Sequence, residues 1–510
     1  MQLCQFAYND AILGSNKPIY LINYSEYYLG ELCDNYPILE QIAGGWDDVP
    51  YRQGAHEFRG HTVSISDYNE IGEIADGAVL LILDSYPNAR FEWLSKKEGF
   101  LERFSKVYYF SGMEMEFDLA YRKKYKDTPL RDIIVFRSGA GASRYVPGSD
   151  FNDNARALFE YMLANNYDEK YKLVWLVKEP EDYKARYKGR NVVFLSYEAA
   201  DTKDIAARDK YYEALCLAKF IFFTNSAVFC RNARRDQVRV QLWHGCGFKS
   251  LRNTRVGRDE YKYEYMTVTS NLYAKLHEED FGLNPEQLLV TGYPKDDLLY
   301  HSLIDWHDKL HIPKFSKYIF WLPTWRTTNL KGEWQGKVVN DTGLSCIQSM
   351  KQLKQLNDLL QKYDMALLVK LHPWQDRNML GNIAMSNVLI LENKDLAKAD
   401  AQINEILRYA DALISDYSSV AIDYTLLDRP IGFTLDDEKE YESSRGFLWE
   451  DIRNWLPGYE INSFDKLLNF VKDVAVGKDR CCEKRRALNC KFHDFADDKN
   501  SKRVIKALGI

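Results

Sequence analysis

Residues 238–250 read VRVQLWHGCGFKS, and this stretch decides the fold that the sequence predicts. Its apolar residues alternate with Arg239 and Gln241, which is typical of a β-strand. Gly245 follows directly and lets the backbone turn sharply. The sequence therefore predicts that His244 lies at the end of a strand, on the edge of a sheet.

Strands of this kind recur along the whole chain. Short β-rich runs alternate with helical stretches, a pattern typical of parallel sheets built from βα units; examples are YKLVWLVK, KFIFFTN, MALLVKLHP and ALISDYSS. At about 150 residues per domain, 510 residues predict three domains. We expect an α/β protein with domains over 1–125, 126–305 and 306–510, the last ending in a helix that crosses back to the second domain.

Composition indicates a folded globular protein. Hydrophobic residues make up 46% of the chain and aromatic residues 14%, which argues against disorder. The nine cysteines show no paired C-x2-C pattern apart from the adjacent Cys481 and Cys482. Neither a zinc site nor a disulfide framework is predicted, and a reducing cytoplasm fits best.

Charge and hydropathy exclude several kinds of partner. A net charge of -6 gives no overall attraction to nucleic acid or anionic lipid, so any anion site must be local. The N-terminus MQLCQFAYND lacks the basic and apolar segments of an export signal. Apolar runs fall short of the about 18 residues that a membrane span needs. A cytoplasmic protein without a span is expected.

Polar motifs follow the predicted strands of the second and third domains. Ligands of open α/β sheets bind beyond the carboxyl ends of the strands, so these ends should carry the chemistry. In chain order they read WHG, GYPKDD, LPTWR, KLHP and SDYSS, and a later loop reads YESSRGF. Together, from about residue 131 to about residue 475, they resemble the CDP-glycerol glycerophosphotransferase family of teichoic-acid primases, polymerases and related capsule enzymes.

The resemblance implies a glycosyltransferase-B fold, in which two Rossmann-like domains face a cleft. It also implies a reaction in which an acceptor hydroxyl attacks the β-phosphorus of a CDP-alditol and releases CMP. His244 would be the general base, since an imidazole with a pKa near 6.5 can take a proton at neutral pH. The alternative is a structural histidine that only bonds a neighbouring carbonyl group.

The resemblance places the donor phosphates near two further motifs. His372 follows the apolar run 366–369 and precedes a proline, which holds the backbone extended. Ser418 and Ser419 begin a helix predicted to reach residue 429, and serines at a helix start can bind an anion or simply cap the helix. Asp416 is expected to be structural or to bind ribose, because a carboxylate would repel a diphosphate.

Local cations must supply the positive charge that the acidic chain lacks. Guanidinium groups match phosphate oxygens, so Arg326 and Arg445 are the first candidates, although a lone loop arginine is usually a solvated charge. The full set of predicted substrate-binding residues is Gly245, Lys249, Pro294, Lys295, Thr324, Arg326, Asp416, Ser418, Ser419, Arg445 and Gly446. No metal is obligatory, but Mg²⁺ on the diphosphate is an alternative. Asp296 and Asp297 are expected to cap a loop or helix rather than bind a divalent ion.

The first domain looks like a Rossmann-type domain that has lost its nucleotide turn. Residues 23–28 read NYSEYY where a glycine-rich turn would be expected, and their side chains would block a pyrophosphate. We expect no NAD binding, but a domain that docks a partner or extends the acceptor groove.

The resemblance also implies a lipid-linked or oligosaccharide acceptor and a peripheral contact with the inner face of the membrane. Basic stretches such as CCEKRRALNCK could make that contact, or could be solvated surface. Glycerol is the expected alditol. The alternatives are a CDP-ribitol enzyme, a nucleotide-sugar glycosyltransferase of the same fold and a non-catalytic scaffold. The sequence leaves the oligomeric state open.

Overall fold

The described part of the chain covers most of its length. A computed structural model describes residues 3–5, 17–70, 72–84, 87–110, 112–139, 148–225, 227–250, 263–301, 304–323, 342, 344–370, 385–435, 437–444 and 446–510.

The first sheet belongs to the N-terminal domain. Its strands are β1 (Leu3–Gln5), β2 (Ile19–Ile22), β3 (Ile42–Trp46), β4 (Gly54–Phe58), β5 (His61–Ser66), β6 (Val79–Leu83) and β7 (Lys106–Phe110). They lie in the order β1-β7-β6-β2-β3-β5-β4, and the only antiparallel pair among these strands is the β4–β5 hairpin. The runs KPIYLINY, HTVSIS, GAVLLILD and KVYYFSG predict the strands β2, β5, β6 and β7, and the glycines before HTVSIS predict the hairpin, whereas β3 was not predicted.

The second sheet is wholly parallel and contains the strand that leads to His244. It comprises β8 (Arg131–Arg137), β9 (Lys172–Val177), β10 (Val192–Ser196), β11 (Ala218–Phe223), β12 (Val238–Gln241), β13 (Tyr265–Val268) and β14 (Leu288–Val290). Their order is β10-β9-β8-β11-β12-β13-β14. The chain reverses direction across the sheet between β8 and β11, which is where ligands gather in such folds.

The third sheet is also parallel. It comprises β15 (Lys317–Trp321), β16 (Met365–Lys370), β17 (Val388–Leu391), β18 (Ala412–Ser415), β19 (Ile431–Thr434) and β20 (Tyr459–Ile461), in the order β17-β16-β15-β18-β19-β20. Aliphatic and aromatic side chains fill these strands because helices cover both faces of a parallel sheet. The parallel α/β class predicted from the sequence is confirmed, whereas the domain boundaries at 125 and 305 stay predictions.

The helices connect the strands and cover the sheets. They are α1 (Glu26–Asn35), α2 (Pro87–Ser95), α3 (Met113–Lys124), α4 (Asp153–Ala164), α5 (Glu181–Lys184), α6 (Ile205–Leu217), α7 (Asn271–Phe281), α8 (Trp306–Leu310), α9 (Met350–Lys362), α10 (Asn393–Ala399), α11 (Ile403–Leu407), α12 (Val420–Tyr424), α13 (Glu438–Ser444), α14 (Ile452–Trp455), α15 (Phe464–Ala475), α16 (Cys482–Phe492) and α17 (Asn500–Ala507). Within the described ranges, no helix has the length and apolar character that a membrane crossing requires.

The last helix returns to the second sheet. Val504 and Ile505 of α17 are buried in the same hydrophobic cluster as residues of β8 and β9. The carboxylate of Asp297 accepts hydrogen bonds from the backbone N–H groups of Asn500 and Ser501, at 2.9 Å each, and so caps α17. The structure therefore supports the helix-cap interpretation of Asp297.

One predicted helix is shorter than expected. The sequence predicted a helix from Ser418 or Ser419 to Arg429, whereas α12 ends at Tyr424 and continues only as a 3-10 turn to Leu427. Asp428 then adopts a left-handed conformation that ends the turn. Tertiary contacts decide the length of such a short helix, so the sequence pattern could not predict the residue at which it ends.

Candidate active site

A cavity of about 440 Å³ lies between the carboxyl ends of the second and third sheets. Its walls bring together several motifs that are far apart in the sequence. They are formed by Asn152, Asp153, His244, Lys249, Lys295, Leu322, Pro323, Lys370, Gln402, Ile403, Asn404, Ser418, Ser419, Val420, Asp423 and Tyr441. Five of the residues predicted from the sequence, namely His244, Lys249, Lys295, Ser418 and Ser419, thus line one cavity.

His244 sits just beyond β12, on a turn that the fold holds firmly. Trp243, immediately before it, adopts a positive φ of 55°, a conformation that non-glycine residues rarely use and that often marks functional sites. The side-chain amide of Asn154 donates hydrogen bonds to the carbonyl oxygens of Leu242, at 3.2 Å, and Trp243, at 3.0 Å. These bonds fix the direction in which the imidazole leaves the backbone.

The hydrogen bonding of His244 suits it to accept a proton. Its Nδ1 lies 3.3 Å from the carbonyl oxygen of Thr224. A carbonyl oxygen can only accept, so Nδ1 carries the proton and Nε2 keeps its lone pair. His244 is exposed to solvent in the cavity. The protein around the ring and the positive charges of Lys295 and Lys249 lower the pKa of His244 to about 4, which favours the neutral ring.

Gly245 allows Ser419 to approach the turn that carries His244 closely. An ideal Cβ built on Gly245 would lie 2.5 Å from Oγ and 2.7 Å from Cβ of Ser419. No larger residue fits there without moving one of the two segments. The turn after β12 and the start of α12 are therefore in direct contact.

Ser418 and Ser419 present polar groups that the helix itself does not use. Ser419 is the N-cap of α12, yet its side chain makes no capping hydrogen bond. The backbone N–H groups of Ala421 and Ile422 already donate to the carbonyl oxygens of Ser418, at 3.2 Å, and Ser419, at 2.9 Å, so the serine hydroxyls are the donors that this turn offers to the cavity. Ser419 therefore does not cap α12 with its side chain, and the binding of an anion by Ser418 and Ser419 stays a prediction.

Lys295 is buried in a charged cluster below the cavity. Its ammonium group pairs with Asp423 and lies 4.0 Å from Asp296. Burial alone would lower the pKa of Lys295, but these two carboxylates raise it above its ordinary value. Asn404 donates a hydrogen bond to Asp296 at 3.2 Å. Lys295 thus holds α12 against the 3-10 turn Pro294–Leu299, besides lining the cavity.

Lys249 and Gly446 join two of the sequence motifs. The backbone of Lys249 forms an isolated antiparallel bridge with Phe447, and the backbone N–H of Ser250 donates to the carbonyl oxygen of Gly446 at 3.2 Å. Gly446 has a positive φ of 75°, which its lack of a side chain permits. The WHG turn and the loop that follows α13 therefore meet at the cavity.

Lys370 and Asp153 are among the polar residues of the cavity that were not predicted from the sequence. Lys370 is the last residue of β16, and burial lowers its pKa to about 8. Asp153 begins α4 with a positive φ of 63°, and burial raises the pKa of its carboxyl group to about 6. Lys370 lies in the run MALLVKLHP. Its position at the end of a predicted buried strand could have identified it as a cavity residue. Asp153 gave no comparable signal.

The remaining predicted residues lie beside the cavity or outside the described chain. Pro294 begins the 3-10 turn under the cavity, and Asp416 is completely buried after β18. The predicted residues outside the described ranges are His372, Thr324, Arg326 and Arg445. Among the described residues, no three His, Cys, Asp or Glu side chains are grouped so that they could hold a metal ion.

Comparison with known proteins gives the same family that the motifs suggested. A family model described as CDP-Glycerol:Poly(glycerophosphate) glycerophosphotransferase matches residues 131–509. The teichoic acid glycerol-phosphate transferase of Staphylococcus aureus is 25% identical over 409 residues, which cover 74% of this chain and 93% of that protein. The teichoic acid poly(glycerol phosphate) polymerase of Staphylococcus epidermidis is 24% identical over 379 residues. This alignment covers 67% of this chain and 47% of the polymerase, so the chain spans about half of that relative.

The fold agrees with that of a solved structure. The wall teichoic acid polymerase TagF superposes with a TM-score of 0.58 at 21% identity, covering 78% of this chain and 92% of that one. At this identity the likeness concerns the fold alone. The family model, in contrast, matches well over half of the chain. The chain is therefore a member of the CDP-glycerol:poly(glycerophosphate) glycerophosphotransferase family.

Proposed function

We propose that this protein transfers an alditol phosphate, with glycerol phosphate as the preferred unit, from a CDP-alditol to an acceptor hydroxyl and releases CMP. One observation carries the proposal. A neutral imidazole whose Nε2 can accept a proton lines one cavity together with Ser418 and Ser419, and the Ser419 side chain makes no helix-cap hydrogen bond within the described part of the chain. A base and an anion-binding turn in one cavity are what a phosphoryl transfer to an alcohol needs.

The transfer can be written with His244 as the only base. Nε2 of His244 takes the proton of the acceptor hydroxyl as its oxygen attacks the β-phosphorus of the donor. The new bond joins the acceptor oxygen to phosphorus, and the bond from the β-phosphorus to the bridging oxygen breaks. That oxygen leaves with CMP, and the alditol phosphate stays on the acceptor. No covalent enzyme intermediate is required.

Negative charge develops on the phosphoryl and bridging oxygens during this step. The cavity wall that carries Ser418, Ser419 and Lys370 can neutralise this charge. Ser418 and Ser419 offer hydroxyl donors, and Lys370 offers a cation at the end of β16. His372, Arg326 and Arg445 are expected to add to this set. Side-chain cations can do this work without an obligatory metal, and Mg²⁺ bound to the diphosphate would add to it.

The proposal also covers the arrangement of the domains and the identity and cellular location of the acceptor. The second domain would hold the acceptor and the third the CDP-donor, facing each other as in glycosyltransferase-B enzymes. The acceptor would be a lipid-linked or oligosaccharide precursor of a teichoic-acid or capsule-type polymer, reached at the cytoplasmic face of the membrane. The activities for which the relatives are named, glycerol-phosphate transfer and polymerisation, support this choice.

Release of CMP tests the proposal. Purified protein is incubated with CDP-glycerol or CDP-ribitol, with and without a soluble or lipid-linked acceptor analogue. We expect acceptor-dependent CMP release, preferentially from CDP-glycerol, that collapses in His244→Ala. His301→Ala is the matched control, because His301 is exposed and lies outside the cavity.

Four outcomes would point elsewhere. Preferential turnover of CDP-ribitol would change the alditol but keep the chemistry. Turnover of a sugar nucleotide in place of either CDP-alditol would favour a glycosyltransferase. Absence of any donor binding would favour the non-catalytic scaffold, and full activity of His244→Ala would remove His244 as the base.

A further inference from the structure

Asp153 is a carboxylate of the active-site cavity that no described residue pairs with a positive charge. The cavity wall contains two carboxylates, those of Asp153 and Asp423. Asp423 is buried and forms a salt bridge with Lys295. Asp153 forms no salt bridge with a described residue, and it is partly exposed. The transfer by His244 does not use this carboxylate.

The side chain of Asp153 keeps hydrogen-bonding capacity for a ligand. One of its oxygens accepts a hydrogen bond from the backbone N–H of Asn154 at 2.7 Å. A carboxylate has two oxygens and about four positions at which it can accept such a bond. The helix does not need Asp153 as its cap, because Asn152 caps α4 with its own side chain. Within the described part of the chain, Asp153 therefore has acceptor positions that the fold does not use.

Asn154 connects the start of α4 to the turn that carries His244. Its side-chain amide donates a hydrogen bond to the carbonyl oxygen of Trp243 at 3.0 Å. Asp153 directly precedes Asn154, His244 directly follows Trp243, and both side chains line the same cavity. The carboxylate and the base thus belong to one connected part of the cavity wall.

The backbone of Asp153 is held in a conformation that costs free energy. Its φ is 63°, in the left-handed region that most side chains avoid and that often marks functional sites. Aspartate and asparagine tolerate this region better than other residues with a side chain. Replacement of Asp153 by asparagine should therefore preserve the backbone of the site.

The charge of Asp153 favours a hydroxyl group over a phosphate as its partner. A carboxylate repels the negative oxygens of a phosphate group. A hydroxyl group carries no charge, and the hydrogen bond that it donates to a charged acceptor is stronger than one between neutral groups. Lys249 and Lys370 line the same cavity and suit the phosphates instead. The hydroxyl groups of an alditol are therefore the substrate groups that Asp153 can bind.

We propose that Asp153 binds a second hydroxyl group of the acceptor, on the carbon next to the one whose hydroxyl attacks. The inference rests on the proposed function and adds to it a residue that determines specificity: the enzyme would require a 1,2-diol at the end of its acceptor. The acceptor is chosen over the donor because α4 connects β8 and β9 of the second domain, on the side of the base.

Such a contact would orient the attacking oxygen. Two hydrogen bonds at adjacent oxygens, one to Asp153 and one to Nε2 of His244, fix both the position and the direction of the hydroxyl that attacks. A hydroxyl held by His244 alone could rotate away from the β-phosphorus. Orientation of this kind lowers the barrier of a reaction between two bound groups.

Two acceptors that differ by one hydroxyl group test the proposal. One soluble acceptor ends in glycerol with a free 1,2-diol, and the other ends in 1,3-propanediol, which lacks the neighbouring hydroxyl. With saturating CDP-glycerol, kcat/KM of each acceptor is measured for the wild type, Asp153→Ala and Asp153→Asn. Asp465→Ala is the control, because Asp465 is an exposed aspartate in the first turn of α15 and does not line the cavity.

The ratio of the two kcat/KM values is the readout, because a loss of folded protein lowers both values equally. The wild type should prefer the diol by about 10- to 100-fold, the range for a hydrogen bond to a charged group. Asp153→Ala should abolish this preference. Asp153→Asn keeps an oxygen that accepts hydrogen bonds and should retain most of it, and Asp465→Ala should keep the wild-type ratio.

Three results with the acceptors would overturn the proposal. Equal use of both acceptors by the wild type would show that the neighbouring hydroxyl is not bound. An unchanged preference in Asp153→Ala would show that another group binds it. Loss of activity with both acceptors in Asp153→Asn, down to the level of His244→Ala, would make Asp153 a base.

A matched pair of donors distinguishes the two possible sources of the hydroxyl group. CDP-glycerol is compared with the CDP ester of 1,3-propanediol, again in the wild type and Asp153→Ala. Asp153→Ala should leave the preference between these donors as in the wild type. A change in the donor preference, with none in the acceptor preference, would assign Asp153 to the donor and overturn the proposal.

Calorimetry separates failure of this inference from failure of the proposed function. Binding of the two acceptors to the wild type and to Asp153→Ala is measured without donor or turnover. A preference for the diol that Asp153→Ala abolishes would uphold the role of Asp153 even for a protein that releases no CMP from CDP-glycerol. Equal binding of both acceptors by the wild type would reject that role even where CMP release is normal.

Discussion

At the scale of single residues, the chemistry depends on groups whose surroundings change their protonation. The turn after β12 keeps His244 neutral, and the end of β16 makes Lys370 less basic than a free lysine. Its position beyond a strand singled out His244, and the resemblance of its motif to the family supplied the role of base, which stays a prediction. The protonation states were not predictable, because they depend on burial by segments distant in sequence.

The pH dependence of kcat/KM follows from these two groups. Proton transfer needs neutral His244, so activity should be lost only as the pH falls through about 4. Donor binding needs charged Lys370, so activity should decline as the pH rises through about 8. In Lys370→Arg the alkaline decline should disappear, since a guanidinium stays charged.

Steady-state kinetics between about pH 3.5 and about pH 9.5, a range that includes both pKa values, would measure both limbs. An Asp153→Asn background separates the titration of Asp153, whose pKa is about 6. An acid limb at the ordinary histidine value, or an alkaline limb that Lys370→Arg leaves in place, would contradict the assignment.

Gly245 gives a second prediction at this scale. In Gly245→Ala the new methyl group would collide with Ser419 and push the base away from the donor side, so CMP release should fall by about 100-fold. Gly54→Ala is the control, because Gly54 also has a positive φ, of 111°, but has open space where its Cβ would lie. Equal activity of the two variants would refute the close approach.

At the scale of elements, the sequence predicted strands better than helices. The apolar runs of β8 to β12 and β15 to β19 were each expected, since buried parallel strands are continuous in hydrophobicity. β20 was not predicted, because its three residues are too few to show an apolar pattern. The early end of α12 and the role of the 3-10 turn at Pro294–Leu299 both depend on contacts between domains.

The pair of Lys295 and Asp423 joins that turn to α12 and can be tested by unfolding. Lys295→Met leaves Asp423 buried without its partner and should cost about 3–5 kcal/mol of stability. Urea unfolding followed by tryptophan fluorescence would measure the loss. The double variant Lys295→Met with Asp423→Leu should recover much of it, and the exposed Lys188→Met should lose nothing.

A stability of Lys295→Met close to that of the wild type would show that the pair does not hold the two elements together. In that event Lys295 would be free to act on substrate, as the sequence motif first suggested.

At the scale of the whole molecule, the family match explains the second and third domains but stops short of the first. The match begins at residue 131, where β8 begins. The resemblance, the enzyme class and the family function drawn from the motifs are confirmed at the level of the family. The role of residues 1–125 stays a prediction.

The first domain offers a physical reason not to bind a dinucleotide. Its sheet changes direction between β2 and β6, the usual place for a ligand. There the side-chain amide of Asn23 bonds Asp84, and Arg90 bonds Asp84, at 3.3 Å, and Asp48, at 3.2 Å. The protein's own side chains thus bond one another across this position.

Ligand-dependent melting of the full-length protein tests this difference between domains. CDP-glycerol at 100 times its Kd should stabilise the protein by about 2.7 kcal/mol, which raises the melting temperature, and NAD at the same concentration should leave it unchanged. Saturable stabilisation by NAD would show that the first domain kept a nucleotide site. Stabilisation by neither ligand would count against the donor assignment.

The fate of the β-phosphorus tests the central proposal most directly. The protein is given CDP-glycerol labelled with ³²P at the β-phosphate, together with an acceptor, and the products are separated. Attack at the β-phosphorus predicts label on the acceptor and unlabelled CMP, both absent with His244→Ala. Label that remains with the nucleotide as CDP would mean transfer by cleavage at carbon, and would contradict the proposed reaction.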